Sequence, residues 1–253
     1  MLTHIRSETD LQAALAALCQ ADPRFAALLA TAGPVPLRRR PEGFAGLVAT
    51  VVSQQLSTAS AAAIWGRLAA AFDPFEPGAI RRARPMRLAR LGLSAPKIRA
   101  LKAIARAVDR GELALAALAE AAADQAHAAL VAVHGIGPWT ADIYLLACLG
   151  HADAWPAGDL ALQEAARLAF GLPNRPDAKE MAALAENWRP LRAVAARVLW
   201  TYYRAVKGRD GAPVLPKPVL PKSLAPKSMP AKPKRAAPAK PRRPANRAPR
   251  ANG

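Results

Sequence analysis

The chain is short of cysteine, of aromatic residues and, over its last stretch, of acid. Two cysteines among 253 residues, Cys19 and Cys148, cannot build a disulfide framework, a four-cysteine zinc site or a four-cysteine iron–sulfur cluster. They fit a reduced, cytoplasmic compartment. No run approaches 18 uninterrupted apolar residues, so no membrane-spanning helix is expected. Met1 to Asp10 mixes charges without an apolar stretch, so no secretory leader is expected either. Aromatic residues make up 5% of the chain, and its 52% apolar fraction is largely alanine and leucine. That mixture favours helix over strand, and no alternating polar–apolar segment competes with a helical reading. The four histidines, His4, His127, His134 and His151, lack metal-ligand spacing, so no transition metal held by the protein is expected.

Positive charge is plentiful, but it is unevenly placed. Lys and Arg number 36 against 18 Asp and Glu, a formal net charge of +18. Residues 211–253 hold 11 Lys/Arg, 11 Pro and no acid, leaving 25 basic and 18 acidic residues, or +7, for 1–210. A moderately basic body with a strongly basic tail suits a polyanionic partner. Attraction of phosphates by the tail would be unselective and would fall with salt. The tail has almost nothing to bury, so 208–253 reads as a disordered Pro/Ala/Lys/Arg-rich segment. Residues 1–207 read as one helical domain.

Within that domain, Ser7 and Asp10 resemble a capping box opening a helix to about Leu29. Pro34 to Pro41 reads as a loop. Helix follows over about Phe44–Phe72, broken near Gln54–Ser57, and a short basic helix over Arg81–Leu91. Ser94 and Pro96 open another helix to about Val108. Two helices over about 123–149 flank Gly135, Ile136 and Gly137. Further helices cover Gly158–Phe170, Asp177–Asn187 and Pro190–Val206. Leu160 and Leu162 read as core positions.

The segment Leu130–Asp142, LVAVHGIGPWTAD, carries the first chemical signal. Gly135 and Gly137 permit positive φ and close backbone approach. Ile136 can tuck between the two helices, and Pro138 presets the first turn of the second. Free N–H groups at that helix start, with the helix dipole, suit a DNA phosphate without any base contact. His134, Gly135, Ile136, Gly137 and Thr140 are therefore candidate backbone-binding residues. Lys97 and Arg99, just after a helix start, are candidate phosphate contacts or members of a solvated face. By itself, Asp159 reads as a helix N-cap.

At Leu130–Asp142 the chain resembles the helix-hairpin-helix DNA glycosylases. Val51–Thr58 (VVSQQLST), Ile64–Arg67 (IWGR), Trp155–Leu160 (WPAGDL), Trp188–Arg192 (WRPLR) and Leu199–Tyr202 (LWTY) are similar, in the expected order, to the alkylation-repair branch of that superfamily. The resemblance covers roughly residues 10–206 and is nearest to the DNA-3-methyladenine glycosylase II family, in its short form without an N-terminal β domain. It implies an all-α helix-hairpin-helix glycosylase fold with two helical lobes flanking a cleft. It also implies a monomer acting on damaged double-stranded DNA in the cytoplasm, at the nucleoid.

The resemblance places Asp159 where the catalytic aspartate belongs. The family's loop often carries two adjacent acids; here the first position is Gly158. Trp139 matches a pocket aromatic, with packing of the hairpin helices as its alternative role. Tyr144 sits one position from a second pocket aromatic, a place that Ile143 holds, and Leu191 stands where some relatives carry a third. Trp155 reads equally as cleft lining and as core. Gln55 is implied as the wedge that fills the gap left by a flipped base, with Leu56 as the alternative; Gln54 is implied at the pocket or the DNA. Helix-end hydrogen bonding is the alternative for both glutamines. Trp65, Trp188 and Trp200 read as core, and Cys148 as an inert buried thiol.

A related branch cleaves strands through a lysine just after the hairpin. Here Pro138 and Trp139 stand there, and lysine is absent from 103 to 178. The implied reaction is therefore monofunctional base excision of alkylated purines (3-methyladenine, 7-methylguanine), leaving an abasic site. The family's hairpins are able to hold a monovalent cation on backbone carbonyls; no other cofactor is implied. Two other readings stay open: the same fold acting on uracil, hypoxanthine or ethenoadenine, and a noncatalytic DNA-binding module.

Overall fold

The computed structural model describes residues 2–211. The expected disordered tail, 208–253, therefore lies outside the described residues from 212 onward. Among the described residues the regular structure is helical: one isolated bridge, His4 with His151, is the single extended pairing. No described helix is long and apolar enough to cross a membrane.

Helix α1, Glu8–Ala21, opens on the expected capping box: Ser7 Oγ accepts from Asp10 N at 3.1 Å and Asp10 accepts from Ser7 N at 2.9 Å. It does not run to Leu29. Pro23 has no N–H to continue the ladder, the chain turns at Asp22, and α2 spans Arg24–Ala32. α3 (Gly43–Ser53) and α4 (Thr58–Ala71) flank the expected break. The single basic helix expected at 81–91 is two, α5 (Pro77–Arg82) and α6 (Pro85–Arg90), because the residue before Pro85 is forced out of the helical region. α7 spans Ala95–Asp109, with Ser94 extended at its N-cap but without a side-chain capping bond. The short α8 (Leu115–Leu118) has no counterpart in the sequence reading.

The hairpin pairs α9 (Ala123–Val131) with α10 (Pro138–Ile143). α10 continues as a π-helical stretch, Tyr144–Leu149, that is buried throughout. α11 (Leu160–Phe170), α12 (Ala178–Ala185), a 3₁₀ turn at Glu186–Trp188 and α13 (Arg192–Lys207) complete the chain.

The helices pack in two groups. α1, α2 and α11 gather around α13, whereas α3 lies against α4, α7 and the π-helical stretch, with α5 on α7. The N-terminal segment stitches itself to the loop after the hairpin: Ile5 N donates to Gly150 O at 2.7 Å and Ala152 N to Thr3 O at 2.9 Å. Buried Arg192 grips Asp153 in that loop with Nε–Oδ1 at 2.8 Å and Nη2–Oδ2 at 2.9 Å. One core hydrophobic cluster runs through both groups.

Asp142, on α10, carries an electrostatic cost. Burial pushes its carboxyl up to about 8, although Arg192 and the Trp155 N–H act the other way. His127 Nε2 stands 3.6 Å from Oδ1. The folded protein holds a proton that the unfolded chain releases near pH ~4. Stability therefore falls as pH rises from about 4 and levels off above about 8. Asp142→Asn removes this dependence, so the variant should gain on wild type in melts compared at about pH 5 and about pH 8. A gap that does not move with pH would contradict the assignment.

Candidate active site

The loop before α11 is built to aim one carboxylate. Ala157 N donates to Trp155 O at 2.8 Å and Asp159 N to Pro156 O at 2.9 Å, a tight double turn. Gln163 Nε2 braces it through Ala157 O at 3.0 Å. Asp159 then sits at the N-cap of α11, 8% exposed. Its Oδ1 accepts from Leu162 N at 2.9 Å and from Trp200 Nε1 at 3.3 Å; its Oδ2 accepts from Trp139 Nε1 at 2.8 Å. A cap needs only the first of these bonds. The two indoles, one on α10 and one on α13, each hold one oxygen of the carboxylate.

Trp200 is the residue that sequence reasoning missed. It reads as core, and it is 4% exposed, but a buried indole N–H needs an acceptor. The acceptor is Asp159. Trp200 also lines a pocket of about 30 Å³ with Pro36, Arg38, Ile143, Leu146 and Arg197. That volume holds about one or two waters, too little for a base. Arg38 and Asp210, both in the lining, form an ion pair with Nη2–Oδ2 at 2.8 Å. Ile143, which the sequence reading set at the place of a second pocket aromatic, is part of this lining.

Two expected pocket residues, Tyr144 and Trp155, are turned into the core. Tyr144 is fully buried, with its hydroxyl accepting from Gly43 N at 3.1 Å; it ties the π-helical stretch to α3 instead of facing a base. Trp155 is core: its indole donates to Met181 O at 3.0 Å and meets Trp188 edge-on at 5.5 Å. Leu191 precedes the first turn of α13, nine residues before Trp200, or about 13 Å along the helix axis. Leu160, read as core, is 63% exposed beside Asp159, whereas Leu162 is fully buried. Cys148 is fully buried, and burial pushes its thiol up to about 12.

The hairpin loop is exposed at His134, Gly135, Gly137 and Pro138, with Ile136 buried between the helices. Gly135 adopts φ +90° and lies on α7, where an added Cβ would come within 2.5 Å of Ala100 Cβ. The Thr140 side chain is turned inward, 1% exposed, and accepts a hydrogen bond from Gln54 Nε2, so its hydroxyl is not offered to a phosphate. The Leu130 carbonyl accepts turn N–H groups from Ala132 and Val133, and the Val133 carbonyl accepts from Ile136 N at 3.0 Å. Among the described residues no cluster of His, Cys, Asp or Glu is arranged to hold a metal ion.

The expected wedge loop is exposed. Gln55 takes a left-handed φ of +54° and Leu56 is 38% exposed. Gln54, at the C-cap of α3, points back to Thr140. Lys97 is not a free phosphate contact: its ammonium donates to Val52 O at 2.7 Å and Gln54 O at 2.8 Å. Arg99 is exposed.

Residues 48–190 match the family model described as HhH-GPD superfamily base excision DNA repair protein. A curated relative from Mycobacterium tuberculosis (strain CDC 1551 / Oshkosh), "Probable bifunctional transcriptional activator/DNA repair enzyme AlkA", is 33% identical over 77% of this chain. The chain spans about 40% of the length of that relative. DNA-3-methyladenine glycosylase 1 of Schizosaccharomyces pombe is 29% identical over 78% of this chain and 88% of its own. Among solved structures, the S. pombe 3-methyladenine DNA glycosylase Mag1 in complex with abasic DNA aligns with TM-score 0.67 and 28% identity, over 77% of this chain and 96% of that one. A DNA-3-methyladenine glycosidase from Bacillus halodurans aligns with TM-score 0.67 and 30% identity, over 77% and 91%. The matched region takes in more than half of the sequence, with the hairpin and the aspartate loop inside it, and the chain belongs to the HhH-GPD superfamily of base excision DNA repair proteins.

Proposed function

We propose that the chain is a monofunctional DNA glycosylase that flips alkylated purines out of duplex DNA and hydrolyses their N-glycosidic bond. The observation that carries this is Asp159: a carboxylate held by three N–H donors from α11, α10 and α13. Family membership and relatives named for 3-methyladenine add to it.

Breaking the glycosidic bond develops positive charge on the sugar. A carboxylate fixed before the reaction begins stabilises that charge without reorganising. It also orients or deprotonates the water that completes hydrolysis. An alkylated, cationic purine leaves readily, so little acid assistance is needed. Lysine is absent from 103 to 178, the stretch that holds both the hairpin and the Asp159 loop, which fits hydrolysis without strand cleavage. The exposed hairpin would hold a backbone phosphate, and Gln55 with Leu56 would fill the vacated stack. A monovalent cation on the hairpin carbonyls would steady that loop; no chemical step requires it.

Base release from DNA treated with a methylating agent tests the reading. Wild type should free 3-methyladenine or 7-methylguanine and leave alkali-sensitive abasic sites. DNA binding without release of any base would favour a noncatalytic module; release of another lesion alone would redirect the specificity.

Two variants probe the geometry. Trp139→Phe keeps an aromatic ring, smaller than the indole, but deletes the donor to Asp159 Oδ2. A hydrogen bond to a charged group is worth about 1.5–3 kcal/mol, so single-turnover release should slow about 10–100-fold. Affinity for abasic duplex should hold, and a rate within about threefold of wild type would detach Trp139 from the chemistry. Gln55→Gly removes a left-handed strain of about 1–2 kcal/mol against an entropic cost of about 0.5–1 kcal/mol. Its melting temperature should match or slightly exceed wild type while release from paired duplex falls. A stable variant of full activity would move the wedge to Leu56.

A further inference from the structure

We propose that Lys97 is a positioning residue: it holds the Gln54–Leu56 loop in its extruded conformation by capping the C-terminus of α3. The inference rests on the glycosylase reading, in which that loop enters the DNA stack.

Lys97 lies in the first turn of α7, where a cation opposes its own helix dipole. Its ammonium reaches away to α3, donating to Val52 O at 2.7 Å and Gln54 O at 2.8 Å. The last carbonyls of a helix lack intrahelical partners and carry partial negative charge. A lysine there supplies both the missing donors and the complementary charge. Burial draws its ammonium below the usual lysine range, as for a cation held by protein instead of water.

The backbone just past those carbonyls is unusual. Gln55 adopts φ +54°, a conformation that helix ends normally give to glycine. Such backbone persists only where its surroundings over-determine it. Here Lys97 pins the carbonyl just before Gln55, and the Gln54 amide reaches Thr140 on α10. Thr140 is the neighbour of Trp139, the donor to Asp159. The ammonium, the loop and the carboxylate are thus linked through two consecutive residues of α10.

Hydrogen exchange and paired kinetics test this on the full chain. Lys97→Met keeps the stem and removes the donors; Lys97→Arg keeps a donor. In DNA-free protein, Lys97→Met should speed exchange over 53–57 and leave 132–138 as in wild type. In single-turnover release of 7-methylguanine, it should lose about tenfold or more when the lesion is paired with cytosine. The loss should be about threefold or less when the lesion lies opposite an abasic site, where extrusion costs less. Lys97→Arg should recover most of the paired rate. Unchanged exchange over 53–57, or equal losses on both substrates, would overturn the proposal. If wild type releases no base, the glycosylase reading fails, and the exchange result alone decides whether Lys97 holds the loop.

Discussion

Asp159→Asn should release alkylated bases about 10²–10⁴-fold more slowly than wild type while binding damaged or abasic duplex with nearly the same affinity. The substitution changes one atom, but it acts twice. It removes the negative charge that would face the developing oxocarbenium, and it reverses the polarity of one hydrogen bond. Asparagine still caps α11, because its carbonyl oxygen can take the Leu162 N–H and the Trp200 indole that now share Oδ1. Its amide then faces Trp139 Nε1, which donates to Oδ2 at 2.8 Å in the native protein. Two donors confronting one another in a site that is 8% exposed leave an indole N–H unsatisfied, at about 1–3 kcal/mol. The variant should therefore melt a few degrees lower and lose far more activity than stability. Chemical quench with abasic-site cleavage measures the first effect, calorimetry the second and fluorescence anisotropy on abasic duplex the binding. A variant within about tenfold of wild type would show that Asp159 is a cap and that the charge lies elsewhere.

The helical class, the hairpin and the aspartate loop were legible because their signals are local. Ser7 with Asp10, Pro138 after Gly137, and Asp159 before an apolar helix each state a start or a stop in a few residues. The errors have equally local causes where a proline was passed over: Pro23 and Pro85 each split what read as one helix. Two of the candidate pocket residues turn inward for a different reason. Tyr144 and Trp155 are aromatic and lie near the right motifs, yet packing turns them into the core and satisfies their polar atoms on Gly43 and Met181. Trp200, read as core, keeps its ring buried and gives its N–H to Asp159. Which buried indole meets the carboxylate depends on how α13 crosses α11, and no spacing within α13 encodes that. Lys97 shows the same limit: a charge in a first turn reads as solvated, and only the approach of α3 reveals the carbonyls it serves.

Gly135→Ala and Gly137→Ala should differ sharply, although in sequence the two glycines of the hairpin read alike. Gly137 sits at φ −85°, with no atom within 4 Å of an added Cβ; its alanine variant should stay within about 0.5 kcal/mol of wild type. Gly135 sits at φ +90°, and an added Cβ would lie 2.5 Å from Ala100 Cβ and 2.7 Å from Ala100 Cα. The left-handed backbone costs about 1–2 kcal/mol for a residue with a side chain. The clash with the Ala100 backbone cannot be relieved by a rotamer, so the hairpin must lift off α7, at a further ~1–3 kcal/mol. A total of about 2–5 kcal/mol lowers the melting temperature by roughly 4–20 °C in a domain of this size. The displacement carries Ile136 out of its seat and moves the first turn of α10, where Trp139 holds Asp159. Gly135→Ala should thus lose affinity for undamaged and damaged duplex alike, and should lose base release beyond what the affinity explains. Adding Ala100→Gly removes the clash between the two methyl groups but neither the clash with the α7 backbone nor the strained φ, so rescue should be partial. Full rescue would make sterics the whole effect, and equal behaviour of the two alanine variants would contradict the close seating of the hairpin on α7.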